Sequence, residues 1–373
     1  MLSVVMLSAG FSPTVGGSEK QALELSRALR ARGVDVRVLT RRLPGLAAQE
    51  DVQGVPVERL WCAGRGLLNS LTFLGSAGLW LCLRTSRYSV VHAHLAGSPA
   101  LAAALAGRLL GKRVFIKLGG GRGIGELAAS TRTWGGAAKL RLFSWLKPQF
   151  VAVTRDLADE CAEILGGVPV RVQPNGVDTQ RYLPADAERK AALRRKLGWP
   201  EGPGFLYVGR FAPEKRLDLF LRAWCRVAGA GFAAFVGEGP EGARLEGLAA
   251  QFGPAGRIFV LPPMKEIQEA YAAADVFVLP SVSEGLSNSL LEAMASGLAV
   301  LGSRVGGTAE VIAEGVTGLL FRAPDEAELE EKLKLLLTVP GLAARLGAAA
   351  RAAAVERFSI ERVARQYERW YSE

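Results

Sequence analysis

The 373-residue sequence predicts an α/β chain built as two parallel-sheet domains. Short runs of β-branched and aromatic residues alternate with helix-period segments in both halves. A cluster of turn residues, RVQPNGVDTQRYLP at 171–184, separates the two alternations. A chain of this length can bury two cores, and 49% apolar with 22% charged residues is a globular composition.

The opening MLSVVMLSAG carries no basic leader region and no small-residue cleavage site, so it reads as a first strand. A helix from about Ser18 to Arg32 follows, then VDVRVLT, SVVHAH, a helix near 98–110, RVFIKL and FVAVT. The uncharged stretch GLLNSLTFLGSAGLWLCL, 66–83, is bounded by Arg65 and Arg84. It barely reaches spanning length and is diluted by polar and glycine residues, which predicts a buried or interfacial helix rather than a membrane span. The second half gives FLYVGR, a helix at about 214–228, AAFVGEG, RIFVLP, DVFVLP, a helix capped by Ser287 or Asn288, and AVLGS. The Ala-rich 342–354 stretch reads as an ordinary surface helix. Ile360, Val363, Tyr367 and Trp370 share one face of a final helix, and that face must pack on something.

The net charge of +10 is unevenly spread. Residues 1–180 hold 22 lysines and arginines against 12 acids, and residues 181–373 hold 24 against 24. The excess in the first half suits an anionic partner. Nucleic acid is excluded as that partner, because there is no zinc-finger spacing and no RNP-like aromatic string. The segment 131–149 interleaves Trp134, Leu140, Phe143, Trp145 and Leu146 with Arg132, Lys139, Arg141 and Lys147. It suits either an anionic bilayer surface or a partly packed helix. Cys62, Cys82, Cys161 and Cys225 form no CxxC pair and are expected as buried free thiols in a reducing compartment.

The stretch that concentrates chemistry is SVSEGLSNSLLEAMASGLAVL, 281–301. Glu284 falls in the loop after a strand, and Glu292 one turn inside the following helix. Helix N-termini at that sheet edge favour anions, yet two acids flank this one. Carboxylates that accept hydroxyl protons from sugars, beside amides that hold a phosphate, resolve the conflict. Arg210 and Lys215, across FAPEK, are spaced so that a turn could bring both cations to one phosphate. Gly16 and Gly17 would let backbone approach a phosphate, with Ser18 as helix cap. His92 and His94 alternate on one strand and so share a face, and His94 is either a structural hydrogen-bonding group or an acceptor contact.

GGSEKQALELSRALRARGVDVRVLT, VVHAH, PNGVD, YVGRFAPEKRLD, FVGEGP and EGLSNSLLEAMASGLAVLGSRVGGTAEVI together resemble the retaining glycosyltransferases of family four, over essentially the whole chain. The resemblance implies a GT-B fold, two Rossmann-like parallel-sheet domains facing a cleft, with the C-terminal helix crossing back to the first domain. It implies an acceptor-binding domain at 1–176, joined by 358–373, and a nucleotide-sugar donor-binding domain at 177–357. It implies that Glu292 chelates the ribose hydroxyls, that Glu284 touches the transferred sugar, and that Arg210 and Lys215 hold the diphosphate. Backbone at Gly285 and Leu286 would complete the phosphate cradle, with Gly16 and Gly17 approaching it from the other domain. Where many relatives carry a histidine after the strand at 113–117, this sequence reads Lys117-Leu-Gly-Gly-Gly, and Lys117 is the polar group offered instead.

The expected function is transfer of a sugar from a nucleoside-diphosphate sugar to a hydroxyl of a glycan or lipid-linked acceptor. No divalent metal is expected in the chemical step and no bound cofactor, the nucleotide sugar being a co-substrate. The sequence contains no Asp-x-Asp triplet, and two cations with helix amides can replace the metal. The expected location is cytoplasmic, at the inner face of the plasma membrane, with peripheral contact to anionic lipid. A nucleotide-sugar epimerase on the same two-domain plan, and a non-catalytic nucleotide-sugar-binding subunit, are the alternatives. Donor conversion without acceptor would mark the first, and binding without turnover the second.

Overall fold

The computed structural model describes residues 2–13, 16–227, 229 and 231–373. Thr14 and Val15 of the predicted glycine loop, and Ala228 at the predicted helix end, lie outside the described residues. The chain forms two compact units, Met1–Gly176 with Ile360–Glu373, and Val177–Ser359. Phe358 and Ser359 belong with the second unit rather than with the returning helix. The Phe358 carbonyl accepts from the Val177 amide at 2.8 Å, and Ser359 bridges Val177.

In the first unit β1 (Ser3–Ser8), α1 (Gly17–Ala31) and β2 (Asp35–Arg41) lead to the hairpin β3 (Gln49–Val52) and β4 (Val55–Leu60). Then come α2 (Gly66–Leu83), β5 (Val90–His94), α3 (Ser98–Leu110) and β6 (Arg113–Leu118). The helices α4 (Glu126–Thr131) and α5 (Trp134–Leu146), then β7 (Gln149–Ala152), α6 (Arg155–Leu165) and β8 (Val170–Val172) complete the unit's main run. The strand order is β3-β4-β2-β1-β5-β6-β7-β8, parallel except for the β3–β4 pair. The direction in which successive strands are added reverses between the parallel neighbours β1 and β5. Right-handed crossovers therefore put α1 on one face and α2, α3, α5 and α6 on the other.

The second unit runs α7 (Ala187–Leu197), β9 (Gly204–Val208), α8 (Leu217–Val227), β10 (Phe232–Val236), α9 (Gly242–Phe252) and β11 (Ile258–Leu261). It continues with α10 (Ile267–Ala273), β12 (Val276–Leu279), α11 (Asn288–Ala295), β13 (Ala299–Ser303), α12 (Gly306–Val311) and β14 (Gly318–Phe321). Two further helices, α13 (Glu326–Thr338) and α14 (Leu342–Phe358), precede the returning α15 (Ile360–Ser372). Its sheet is parallel throughout, in the order β11-β10-β9-β12-β13-β14. Two parallel-sheet α/β units are what the alternating pattern predicts. α8 starts three residues later than expected because Pro213–Lys215 form a separate turn of 3-10 helix.

α15 covers the α1 face of the first sheet. Ile360, Val363, Ala364, Tyr367 and Tyr371 are buried with Leu25 and Leu29 of α1 and with Val4, Met6 and Phe115 of the strands. Tyr371, not the half-buried Trp370, carries the last inward position, and Arg32 of α1 pairs with Glu368 at 2.6 Å. Of the four thiols expected to be buried, Cys161 alone is; Cys82 is exposed and Cys62 and Cys225 are half-buried. α2, expected as a buried or interfacial helix, is not fully enclosed. It buries only a stripe of Phe73, Ala77, Trp80 and Leu81, and exposes leucines on its other side.

Candidate functional site

In open parallel sheets ligands bind at the carboxyl edge, where neighbouring strands send their connections in opposite directions. The second unit has that arrangement between β9 and β12. The chain leaving β9 turns toward β10, and the chain leaving β12 turns toward β13. Arg210 and Lys215 follow β9, and Ser281 to Glu292 follow β12.

Glu284 lies in the loop between β12 and α11, its carboxylate 9% exposed. Its Oε1 accepts from Lys215 Nζ at 2.6 Å and from Ser281 Oγ at 2.8 Å. Ser281 is itself fixed, because Ser303 Oγ of β13 donates to its carbonyl. The Gly307 amide donates to the Gly285 carbonyl at 2.8 Å. Gly306, at φ +42°, passes so close to the Glu284 carbonyl that a Cβ there would overlap it. The loop is therefore supported from beneath by backbone. Ser287 caps α11, accepting from the Leu290 amide, while Gly285 and Leu286 are buried just before the cap.

Glu292 is buried in α11, and its Oε2 accepts from the Tyr271 phenol at 3.1 Å. Burial first, and the nearby Glu292 charge second, push the Tyr271 phenol well above its ordinary range. It remains a proton donor to the carboxylate. Tyr271 was not singled out from sequence. The available signal was an aromatic with a hydroxyl at the inward end of a helix, which needs a polar partner when buried.

Arg210 and Lys215 are not held at one point. Lys215 turns inward to Glu284, whereas Arg210, 70% exposed, pairs with Glu214 at 3.0 Å. The 3-10 turn between them separates their directions. The Tyr207 phenol donates to the Arg210 carbonyl at 3.0 Å, so the backbone there is anchored while the guanidinium stays in solvent.

The first unit has its own divergence between β1 and β5. Ser8, His94 and Lys117 stand in register on β1, β5 and β6 at the carboxyl edge, and all three are buried. The His92 and His94 rings stack at 4.6 Å between centroids. His92 Nδ1 is hydrogen-bonded to the Tyr371 hydroxyl, while neither ring nitrogen of His94 has a hydrogen-bond partner among the described residues. Burial, with Lys117 next, lowers His94 to about 3. Lys117 falls to about 7 through burial, which Glu24 of α1 partly opposes. A neutral imidazole and an amine titrating near neutrality thus share one edge.

Gly16 is the N-cap of α1, in place of the expected Ser18, and Gly17 opens the helix. A side chain at Gly16 would collide with the Glu19 carboxylate, which folds over this turn. An acid therefore already sits where a phosphate was expected.

Comparison with known proteins places these features in context. Residues 15–181 match the model described as Glycosyltransferase Family 4, and residues 189–353 the model described as Glycosyl transferases group 1. A D-inositol 3-phosphate glycosyltransferase of Xylanimonas cellulosilytica is 31% identical over 94% of this chain and 92% of its own. The protein of that name from Nocardia farcinica is 35% identical, over 51% of this chain and 45% of its own. Anabaena HepE, solved with UDP-glucose, superimposes with a TM-score of 0.82 at 18% identity, over 100% of both chains.

Proposed function

This chain belongs to glycosyltransferase family 4 and has the GT-B fold, and from that premise we propose that it transfers a sugar, with retention at the anomeric carbon, from a nucleoside-diphosphate sugar to a hydroxyl. The second unit binds the donor. Glu292 takes the ribose hydroxyls, Glu284 the sugar, and Lys215 with Arg210 the diphosphate, over backbone at Gly285 and Leu286. The first unit binds the acceptor, with His94 and Lys117 at its edge and the turn at Gly16 and Gly17 beside them.

The observation that carries this reading is the Lys215–Glu284 pair, 2.6 Å apart where β9 and β12 diverge. As the bond from the anomeric carbon to the diphosphate breaks, charge grows on the leaving oxygen. A fixed lysine there favours the transition state over the ground state. Glu284, released from the lysine, is left to accept from sugar hydroxyls. This division of labour does without a divalent metal in the chemical step. The acceptor is a glycan or lipid-linked hydroxyl; a phosphorylated polyol, the acceptor in the names of the relatives, is the second reading, favoured by the cation Lys117.

The test is turnover with UDP-, GDP- and ADP-sugars against both acceptor classes, with the product anomer read by NMR. HepE makes uridine nucleotides the first to try. Retained configuration is expected. An inverted product, or donor conversion without any acceptor, would overturn the reading.

A further inference from the structure

α2 is eighteen residues long, uncharged, and among the described residues the single unbroken helix long and apolar enough to cross a membrane. A helix apolar all round is ordinarily enclosed by protein. This one is not. Leu68, Leu71, Leu79 and Leu83 are 54–74% exposed along one side at helical spacing, opposite the buried stripe. The helix is nevertheless firmly seated. Trp80 Nε1 donates to the buried Glu58 of β4 at 2.7 Å, and α2 packs along α3, which packs on α5.

Exposed apolar side chains recur on the helices packed beside α2. α2, α3 and α5 each run back toward the amino edge of the sheet, and near their last turns stand Leu83, Leu109 and Trp145, which are 74%, 78% and 68% exposed. A cation accompanies each: Arg87, Arg108 and Lys147, all exposed. Arg65 at the start of α2 and Arg141 on α5 are exposed too. None of these five pairs with an acid among the described residues. From 59 to 155 the sequence holds fourteen lysines and arginines and one acid, Glu126, which accepts from the Gly119 amide. On the neighbouring α6, Asp156 and Glu163 are neutralised by Arg122. Five exposed cations without an acidic partner among the described residues therefore accompany the apolar side chains of these helices.

We propose that this face, the exposed leucines of α2 with Leu109 and Trp145, bordered by unpaired arginines and Lys147, docks the first unit on an anionic lipid bilayer. Leucines enter the headgroup boundary while cations meet lipid phosphates, as in an interfacial helix lying in the membrane plane. Charge complementarity selects a bilayer over a second copy of this chain, since two such faces would bring unpaired cations together. Lys139 takes no part, although it belongs to the segment whose sequence suits a bilayer. Its ammonium donates to the Ala96 carbonyl at 2.7 Å, and the residue is half-buried. The surface is independent of the donor and acceptor assignments.

The full chain is to be sedimented with neutral phosphatidylcholine vesicles and with vesicles containing phosphatidylglycerol. Recovery with the acidic vesicles is expected, falling as salt rises because screening acts over about 8 Å at physiological ionic strength. Leu71→Glu/Leu79→Glu, checked for fold by circular dichroism, should bind about tenfold less or weaker still. Arg87→Glu/Arg108→Glu, which leaves the apolar face intact, should lose about as much. Equal recovery with both vesicle types, or unchanged binding by both variants, overturns the proposal. So does a concentration-dependent dimer abolished by the leucine changes without vesicle binding, which would assign the face to a second copy. If the leucine variant fails to fold, the arginine variant decides alone.

Discussion

The Tyr271 phenol donates to Glu292 from the helix preceding β12, so a carboxylate in the second turn of α11 is oriented by a group outside its own helix. If Glu292 holds ribose, Glu292→Ala should weaken free nucleoside diphosphate and whole donor alike, by roughly 1.5–3 kcal/mol. Tyr271→Phe should cost about 1 kcal/mol of the same affinity. Glu284→Ala should leave the free nucleotide almost untouched. Calorimetry decides, and equal losses from the two glutamates would refute their division between ribose and sugar.

Lys215→Met removes the cation from a nearly enclosed carboxylate. It should lower kcat by about 10²-fold or more with the nucleotide still bound. The solvated Arg210, which must first leave Glu214, should cost less when changed to alanine. Turnover should survive EDTA. Loss of activity on chelation, with rescue by magnesium or manganese, would show that a metal does the work assigned to Lys215.

A third expectation concerns pH. Lys117 titrates near 7 in the folded chain against an ordinary value of 10.5, so between these values the unfolded chain binds more protons. Stability should therefore rise with pH across that interval, by at most roughly 1.4 kcal/mol per unit, and the gain is absent below pH 7. Lys117→Met should flatten this slope in denaturation curves taken at successive pH values. A slope unchanged in the variant would place the titration elsewhere.

Arg351 of α14 donates to the carbonyls of Thr179, Tyr182 and Ala295, at 2.9, 2.8 and 2.6 Å. Ala295 ends α11, so this guanidinium fixes the far end of the helix that carries Glu292. Arg351→Met should cost about 2–4 kcal/mol of stability, read as a lowered Tm. It should also weaken nucleotide binding, whereas a change confined to Tm would show that α11 holds its place without it.

Much of this was legible in the sequence because it rests on local patterns. Buried parallel strands are nearly continuous apolar runs, so most could be read directly, and Ser287 announced the start of α11. Short or mixed strands were missed: β3 and β4 carry charged residues, and β8 is only three residues long. The separate directions of Arg210 and Lys215 depend on which acid each finds, Glu214 being local and Glu284 sixty-nine residues away from its lysine. Spacing alone cannot choose between them. Which side of α2 is exposed was hidden for the opposite reason: both sides are apolar, so composition carries no mark of which one meets protein.

The return of α15 also sets an order of assembly. Residues 177–359 leave the ribosome as one uninterrupted stretch, whereas the α1 face of the first sheet waits for residues 360–373, made after everything else it contacts. Domains ordinarily mature from the amino end as they emerge. Here the later-encoded unit can finish first, while the earlier one, with α1 alone on that face, keeps the cluster around Val4, Met6 and Phe115 incomplete until Tyr367 and Tyr371 arrive. Until residues 360–373 are made, this nascent chain carries an incompletely covered apolar face on its earlier-encoded unit.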